Sequence, residues 1–137
     1  GPWESYWDRK TSTMVGLYEG AIVSQYYPYV RPQENGNKTD VRWAKLSKKK
    51  GVNIAIYSTG SLLNINVLPY SPAQLFPGVE KGQTHAGELT PDKYTHLDID
   101  LQQLGLGGDN SWGNLPMEQY LLYLYQPYSY SYRIEAF

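Results

Sequence analysis

Apolar and polar residues alternate over several short stretches of the chain. In "YTHLDIDLQQ" (94–103), Leu97, Ile99 and Leu101 face one way and His96, Asp98 and Asp100 the other. "GVNIAIYS" (51–58) sets Val52, Ile54 and Ile56 against Asn53, Ala55 and Tyr57. "LLNINVL" (62–68) repeats the pattern with Leu63, Ile65 and Val67, and "YSYSYRIEAF" (128–137) with Tyr128, Tyr130, Tyr132 and Ile134. A period of two is the signature of a half-buried β-strand. Turn-forming residues fall between the runs. "NGNKTD" (35–40) carries Asn-Gly, and "KKKG" (48–51) and "STGS" (58–61) read as hairpin tips. "SPAQLFPG" (71–78) predicts one short helical turn, with Pro72 near its first position and Gly78 beyond its end. "PMEQYLLYLYQP" (116–127) has proline at both ends and strand formers inside, and it reads as a strand. The expected fold is all-β: an antiparallel β-sandwich, or an open part of one, in a single domain over 1–137.

The first forty residues break this regularity. "GPWESYWDRK" and "SQYYPYVRPQENGNKTD" are rich in aromatics, proline and charge with little periodicity. Such segments are expected to lie over a sheet or against another domain. Composition sharpens the picture at one point: 14 Tyr and 4 Trp stand against 2 Phe. Tyr and Trp pair an apolar body with a polar handle, which suits half-exposed sheets, sugar-binding surfaces and protein interfaces.

Charge and special residues exclude several classes. Lys plus Arg total 12 and Asp plus Glu 13, a net charge of -1 that argues against a nucleic-acid partner. With no cysteine there is neither a disulfide framework nor a thiolate metal site. No apolar run approaches the roughly 18 residues of a membrane span, so no membrane partner is expected. No basic-then-apolar signal segment opens these residues. Gly1-Pro2 by itself would fit a remnant of a cleaved tag.

Motifs that suggest chemistry mostly fail on their spacing. "GLGGDN" (105–110) has Asn110 where a dinucleotide fingerprint needs its last glycine, and no helix follows. Asp98 and Asp100 are followed by Gln102 and Gln103 where a calcium loop needs a ligand and a turn glycine, and they read as the solvated face of a strand. Ser111 in "DNSWG" lacks the first glycine of a nucleophile elbow. His85 and His96 are not spaced as zinc ligands, and no metal site is expected. "NKT" (37–39) matches a glycosylation acceptor only formally. Retaining or inverting glycosidases need two carboxylates about 5 to 9 Å apart. Glu4, Glu19, Glu34, Glu88, Glu118 and Asp109 show no spacing that marks such a pair.

Four segments in order resemble one family: "GPWESYWDR" (1–9), "PYVRPQENGNKTDVRW" (28–43), "GLGGDNSWG" (105–113) and "PYSYSYRI" (127–134). Together they are similar to the C-terminal, small-chain domain of the large β-galactosidases of glycoside hydrolase family 2. The resemblance covers nearly the whole chain and makes Gly1-Pro2 part of the pattern. It implies a galactose-mutarotase-like supersandwich roughly twice this size, of which the chain is the C-terminal half. It also implies that the catalytic glutamates and a Mg2+ site lie in a barrel elsewhere in the polypeptide. No catalytic residue and no cofactor are therefore expected here, and the isolated chain is expected to be inactive. The implied partners are the remainder of the β-galactosidase chain and, through one loop, the galactoside.

That loop is "GGDNSW", and the resemblance implies that Trp112 lines the sugar or leaving-group pocket, with Asp109, Asn110 and Ser111 beside it. Asn110 stands where some relatives carry Asp. Gly107 and Gly108 permit tight backbone, and Asp109, Asn110 and Ser111 can fix the loop by bonding to their own backbone. The structural alternative is that Trp112 plugs a gap in the sandwich. Arg31, Glu34 and Asn35 read instead as a turn and an ion pair supporting an interface. An autonomous carbohydrate-binding module and a structural assembly domain are the rival functions. Half a sandwich leaves an open edge or face, so either self-association or coverage by the aromatic N-terminal segment is expected. The compartment stays open between bacterial cytoplasm and periplasm.

Overall fold

A computed structural model describes residues 3–76, 78–79, 84–110 and 112–137. Among the described residues six strands form: β1 (Lys38–Val41), β2 (Trp43–Leu46), β3 (Ile54–Ser58), β4 (Leu63–Leu68), β5 (His96–Asp100) and β6 (Tyr132–Ala136). They build two antiparallel three-stranded sheets, in the orders β1-β4-β5 and β2-β3-β6. An α-helical turn, α1 (Pro72–Leu75), sits where the Pro72 signal places it. Ser71 and Gln74 cap it reciprocally, each side chain bonding the other's backbone N–H.

Between β1 and β2 only Arg42 intervenes, so the chain turns a corner there and passes from one sheet to the other. Asp40, at φ 57, absorbs part of the bend, a conformation that short polar side chains tolerate. The "KKKG" stretch lies in the β2–β3 hairpin connection as expected. "STGS" does not make a hairpin. It connects β3 in one sheet to β4 in the other, because both strands turn their apolar sides to a shared core. Asn35-Gly36 leads into β1, a strand too irregular in pattern to be read beforehand. "PMEQYLLYLYQP" is likewise not a strand: a 3-10 turn occupies Glu118–Tyr120 and irregular backbone follows. The alternation from Tyr128 yields regular strand only from Tyr132.

Ile56, Leu63 and Ile65 form the centre of the core, packed by Val41, Ala44, Leu46, Ile54, Val67, Leu97 and Ile99. Cross-strand register explains the choice. Ile65 pairs with Ile99 and Val67 with Leu97 in one sheet, and Ile56 pairs with Ala44 in the other. The strand β4 is exceptional, because its other face is buried too: Asn64, Asn66 and Leu68 are all shielded. Asp98 and Asp100 lie opposite Asn66 and Asn64 on that second face, half-buried and not fully solvated. Burial pushes the Asp98 carboxyl up, and the neighbouring Asp100 charge adds to it.

The N-terminal aromatic segment supplies the cover over β4. Gly36 packs so closely that a Cβ there would lie 2.5 Å from the Gln25 carbonyl oxygen and 3.3 Å from Leu68 Cδ2. Tyr26 stacks at a tilt on Tyr70, ring centroids 4.7 Å apart. Asn35, fully buried, accepts from Tyr27 N and donates to Tyr27 O, both at 3.0 Å. Ser5 N donates to Asn37 O at 2.8 Å, and the Asn37 amide returns a bond to Ser5 O at 2.9 Å. Asn37 is thus a buried structural amide, which excludes a glycan on the folded chain.

Glu4 is the hub of this cover. Its Oε2 accepts from Tyr6 OH at 2.9 Å and from Gly36 N at 2.8 Å, and its Oε1 accepts from Tyr29 OH. Burial alone pushes this carboxyl up. The Gly36 N–H, the two phenols and the Lys38 charge outweigh burial and hold it below the ordinary range. The phenols respond oppositely: burial and Glu4 raise Tyr6, and Glu4 raises Tyr29 to about 12. Burial lowers the Lys38 ammonium to about 8 although Glu4 opposes it. An unfolded lysine titrates near 10.4, so between about pH 8 and pH 10 the unfolded chain binds more protons at Lys38 and stability rises with pH. In Lys38→Met this rise is expected to flatten, as read by urea unfolding at stepped pH. An unchanged slope would remove Lys38 from the account.

Candidate functional site

The loop from Leu101 to Tyr120 is built from its base upward. Gly105 N donates to Tyr120 O at 2.9 Å and closes it. A Cβ on Gly105 would lie 2.7 Å from Tyr120 Cβ and 3.0 Å from Asp8 Oδ2, so the base admits no side chain there. Against this base stands a tight turn of the N-terminal segment, in which Arg9 N donates to Tyr6 O at 2.8 Å. Trp7, at the corner of the turn, meets the Tyr120 ring edge-on with centroids 5.6 Å apart and planes at 83°.

Asp8 and Arg9 clamp the next turn of the loop. The Asp8 side chain is only 3% exposed, and its Oδ2 accepts from Gly107 N at 2.8 Å. Arg9 donates to Gly107 O, to Asp8 O at 3.0 Å, and lies 3.4 Å from Asp8 Oδ2. Gly107 thus has both backbone groups held by two adjacent side chains. Burial pushes the Asp8 carboxyl up, but the Leu106 and Gly107 N–H groups and the Arg9 guanidinium outweigh it and hold it below the usual carboxylate range. Gly107 itself has φ 65, and a Cβ would press on Pro116 N at 3.3 Å.

From this base the tip projects outward. Asn110 Oδ1 accepts from Trp112 N at 2.8 Å, a side chain bonding its own backbone two residues on. Trp112 is 90% exposed, so it does not plug a gap in the sandwich. Asp109 and Asn110 are exposed beside it, as are Leu115 and Met117. Ser111 and Gly1-Pro2 lie outside the described residues. The structure therefore brings Asp109, Asn110 and Trp112 together on one anchored, outward-pointing loop.

The other flagged residues lie elsewhere. Arg31 and Glu34 are both exposed and do not pair; Glu34 accepts instead from Gln103 Nε2 at 3.1 Å. Asn35 is the structural member of that trio. His96 bonds Asp92 Oδ2 at 2.9 Å and His85 is exposed. Among the described residues, no three His, Cys, Asp or Glu side chains converge as metal ligands. A cleft of about 30 Å³, lined by Trp3, Glu4, Gln25, Tyr26 and Tyr27, is water-sized and cannot enclose a pyranose.

Asp8 and Arg9 are the residues that sequence reasoning left without a role, although "YWDR" stood inside a quoted motif. Their signal was an acid and a base beside a tryptophan in an otherwise irregular segment. Removing the Asp8 carboxylate leaves a buried N–H without its acceptor, a loss of about 1–3 kcal/mol. Asp8→Ala is expected to cost that much in urea unfolding, and Gly105→Ala a similar amount through overpacking. If both variants match the parent within error, the loop is not clamped as described.

Residues 1–134 match the family described as beta galactosidase small chain. The chain is 36% identical over 135 residues to a beta-galactosidase of Priestia megaterium, covering 98% of this chain and 12% of that protein. It is 43% identical over 113 residues to a beta-galactosidase of Lactobacillus delbrueckii subsp. bulgaricus, covering 82% and 10%. It is 32% identical over 139 residues to the beta-galactosidase BgaC of Bifidobacterium adolescentis, covering 100% and 13%. The chain thus spans about an eighth or less of these relatives. An antiparallel two-sheet fold, the ordered motifs and a match over almost every residue place the chain in the β-galactosidase small-chain family.

Proposed function

We propose that the chain is a non-catalytic part of a family 2 β-galactosidase and that it lends the Trp112 loop to the active-site mouth. The observation that carries this reading is an exposed indole on a loop whose base is clamped at Gly105 and Gly107. An exposed tryptophan on flexible backbone would be a hydration cost with no return. Fixed in place, it offers a flat apolar face to the C–H face of a pyranose, while Asp109 and Asn110 stand near the sugar hydroxyls. Rigid sheets with functional loops are a common way to position such a group.

In this reading the whole enzyme hydrolyses terminal β-D-galactosides with retention, through a covalent galactosyl-enzyme intermediate. Both carboxylates and the Mg2+ belong to the barrel, and this chain moves no proton. It forms the C-terminal half of the supersandwich, buttresses the barrel and shapes the leaving-group side of the pocket. A stand-alone sugar-binding module fits less well, because the exposed loop is one wall of a pocket and lacks the others.

The test is complementation. The parent enzyme is truncated just before residue 1, and the chain is added in trans as wild type or Trp112→Ala. Wild type is expected to restore hydrolysis of a chromogenic β-galactoside. The variant is expected to restore turnover but lose about tenfold in discrimination between leaving groups, equivalent to about 1.4 kcal/mol. A fully active truncated parent, or a variant identical to wild type, would overturn the proposal.

A further inference from the structure

The outer edge of β6 carries a pattern independent of the Trp112 loop. Among the described residues, β6 pairs with β3 alone, and all five of its residues are exposed. Its hydrogen-bond phase is fixed at both ends. Phe137 N donates to Asn53 O at 3.0 Å, and Thr59 N donates to Ser131 O at 3.3 Å. In an antiparallel ladder the hydrogen-bonded pairs recur every second residue. Arg133 and Glu135 therefore turn their backbone groups toward β3. Tyr132, Ile134 and Ala136 turn theirs to the open edge. No proline, lysine or bulge blunts that edge, and such an edge is a template for another strand.

We propose that β6 pairs with β6 of a second copy of this chain, about a two-fold axis through Ile134. The axis places Ile134 opposite Ile134, Tyr132 opposite Ala136, and Arg133 opposite Glu135. The first two are the positions whose N–H and C=O groups point outward, so they become the hydrogen-bonded pairs. Arg133 and Glu135 fall on the intervening positions, where the strands approach most closely and side chains oppose directly. Each arginine meets the partner's glutamate, twice per dimer. Within one chain the same two residues share an ion pair at 3.0 Å in solvent. Ile134, half-exposed on the core side of the sheet, gains a cover from its own copy.

The outer edge of β5 does not offer this symmetry. A two-fold axis at the centre of β5 would set Asp98 against Asp98, and like charges directly opposite are destabilising. The β6 pairing is isologous and closed, and it yields one continuous six-stranded sheet. A five-residue edge is small beside a standard interface, so a weak, concentration-dependent dimer is expected.

Sedimentation equilibrium of the 137-residue chain, from low micromolar to near-millimolar concentration, tests this. The wild type is expected to show a reversible monomer–dimer equilibrium. Arg133→Glu sets glutamate against glutamate and is expected to weaken it by about tenfold or more. The double exchange Arg133→Glu/Glu135→Arg restores opposite charges across the axis and is expected to restore dimerisation. Ile134→Pro removes an outward N–H that β3 does not use, so it is expected to abolish the dimer while far-UV circular dichroism stays native. A folded chain that stays monomeric throughout would overturn the proposal and leave the edge to a strand from a longer polypeptide. So would a dimer indifferent to Arg133→Glu, or a folded double exchange that fails to restore it.

Discussion

The Glu4 carboxylate accepts hydrogen bonds from Tyr6, Tyr29 and Gly36, three groups spread over a segment whose regular structure is one 3-10 turn, Ile22–Gln25. That segment is the cover for the second face of β4. A strand buried on both faces must be sealed by something other than the second sheet. Here the seal is an aromatic, proline-rich stretch that cannot pair as a strand. Its backbone polar groups need partners once water is excluded. Glu4, Asn35 and Asn37 supply them. A charged acceptor suits this task, because charge-assisted bonds are stronger than neutral ones.

The seal has a consequence at a distance. Residues 6–9 leave Glu4 in a tight turn, and that turn presents Trp7, Asp8 and Arg9 to the base of the Trp112 loop. The loop is held by contacts to the N-terminal segment and not by the strands that precede it. The order of dependence is therefore β4, then Glu4, then the Asp8–Arg9 clamp, then the indole. A segment that looks like irregular lead-in is the mount for the most exposed aromatic feature of the chain.

The strands β3, β4 and β5 were legible because each lies in a run of alternating aliphatics with turn residues beside it. The α1 turn was legible from Pro72 at its start and Gly78 beyond its end, whose chemistry is local. What the pattern hid depends on the other sheet or on the cover. "STGS" has the composition of a hairpin tip, but no local signal says that its two strands belong to different sheets. The tyrosines of 120–130 alternate with leucine and serine as a strand would, yet irregular backbone follows the 3-10 turn there. Asp98 and Asp100 looked solvated, yet they lie half-buried opposite Asn66 and Asn64 on the second face of β4. For the candidate site, Trp112 and its neighbours stood out through resemblance, whereas Asp8 and Arg9 act through a contact nearly one hundred residues apart in sequence.

The coupling from Glu4 to the loop can be read directly from backbone amide hydrogen exchange in Glu4→Ala and the parent chain. The amide of Gly36 bonds Glu4 itself and will exchange faster in either case. The informative amide is Gly107, which bonds Asp8. If the N-terminal segment mounts the loop, loosening it at Glu4 accelerates Gly107 together with Gly36 while the core amides of β3 and β4 keep their protection. Acceleration at Gly36 with Gly107 unchanged would show that the loop stands without the segment, and would contradict the account.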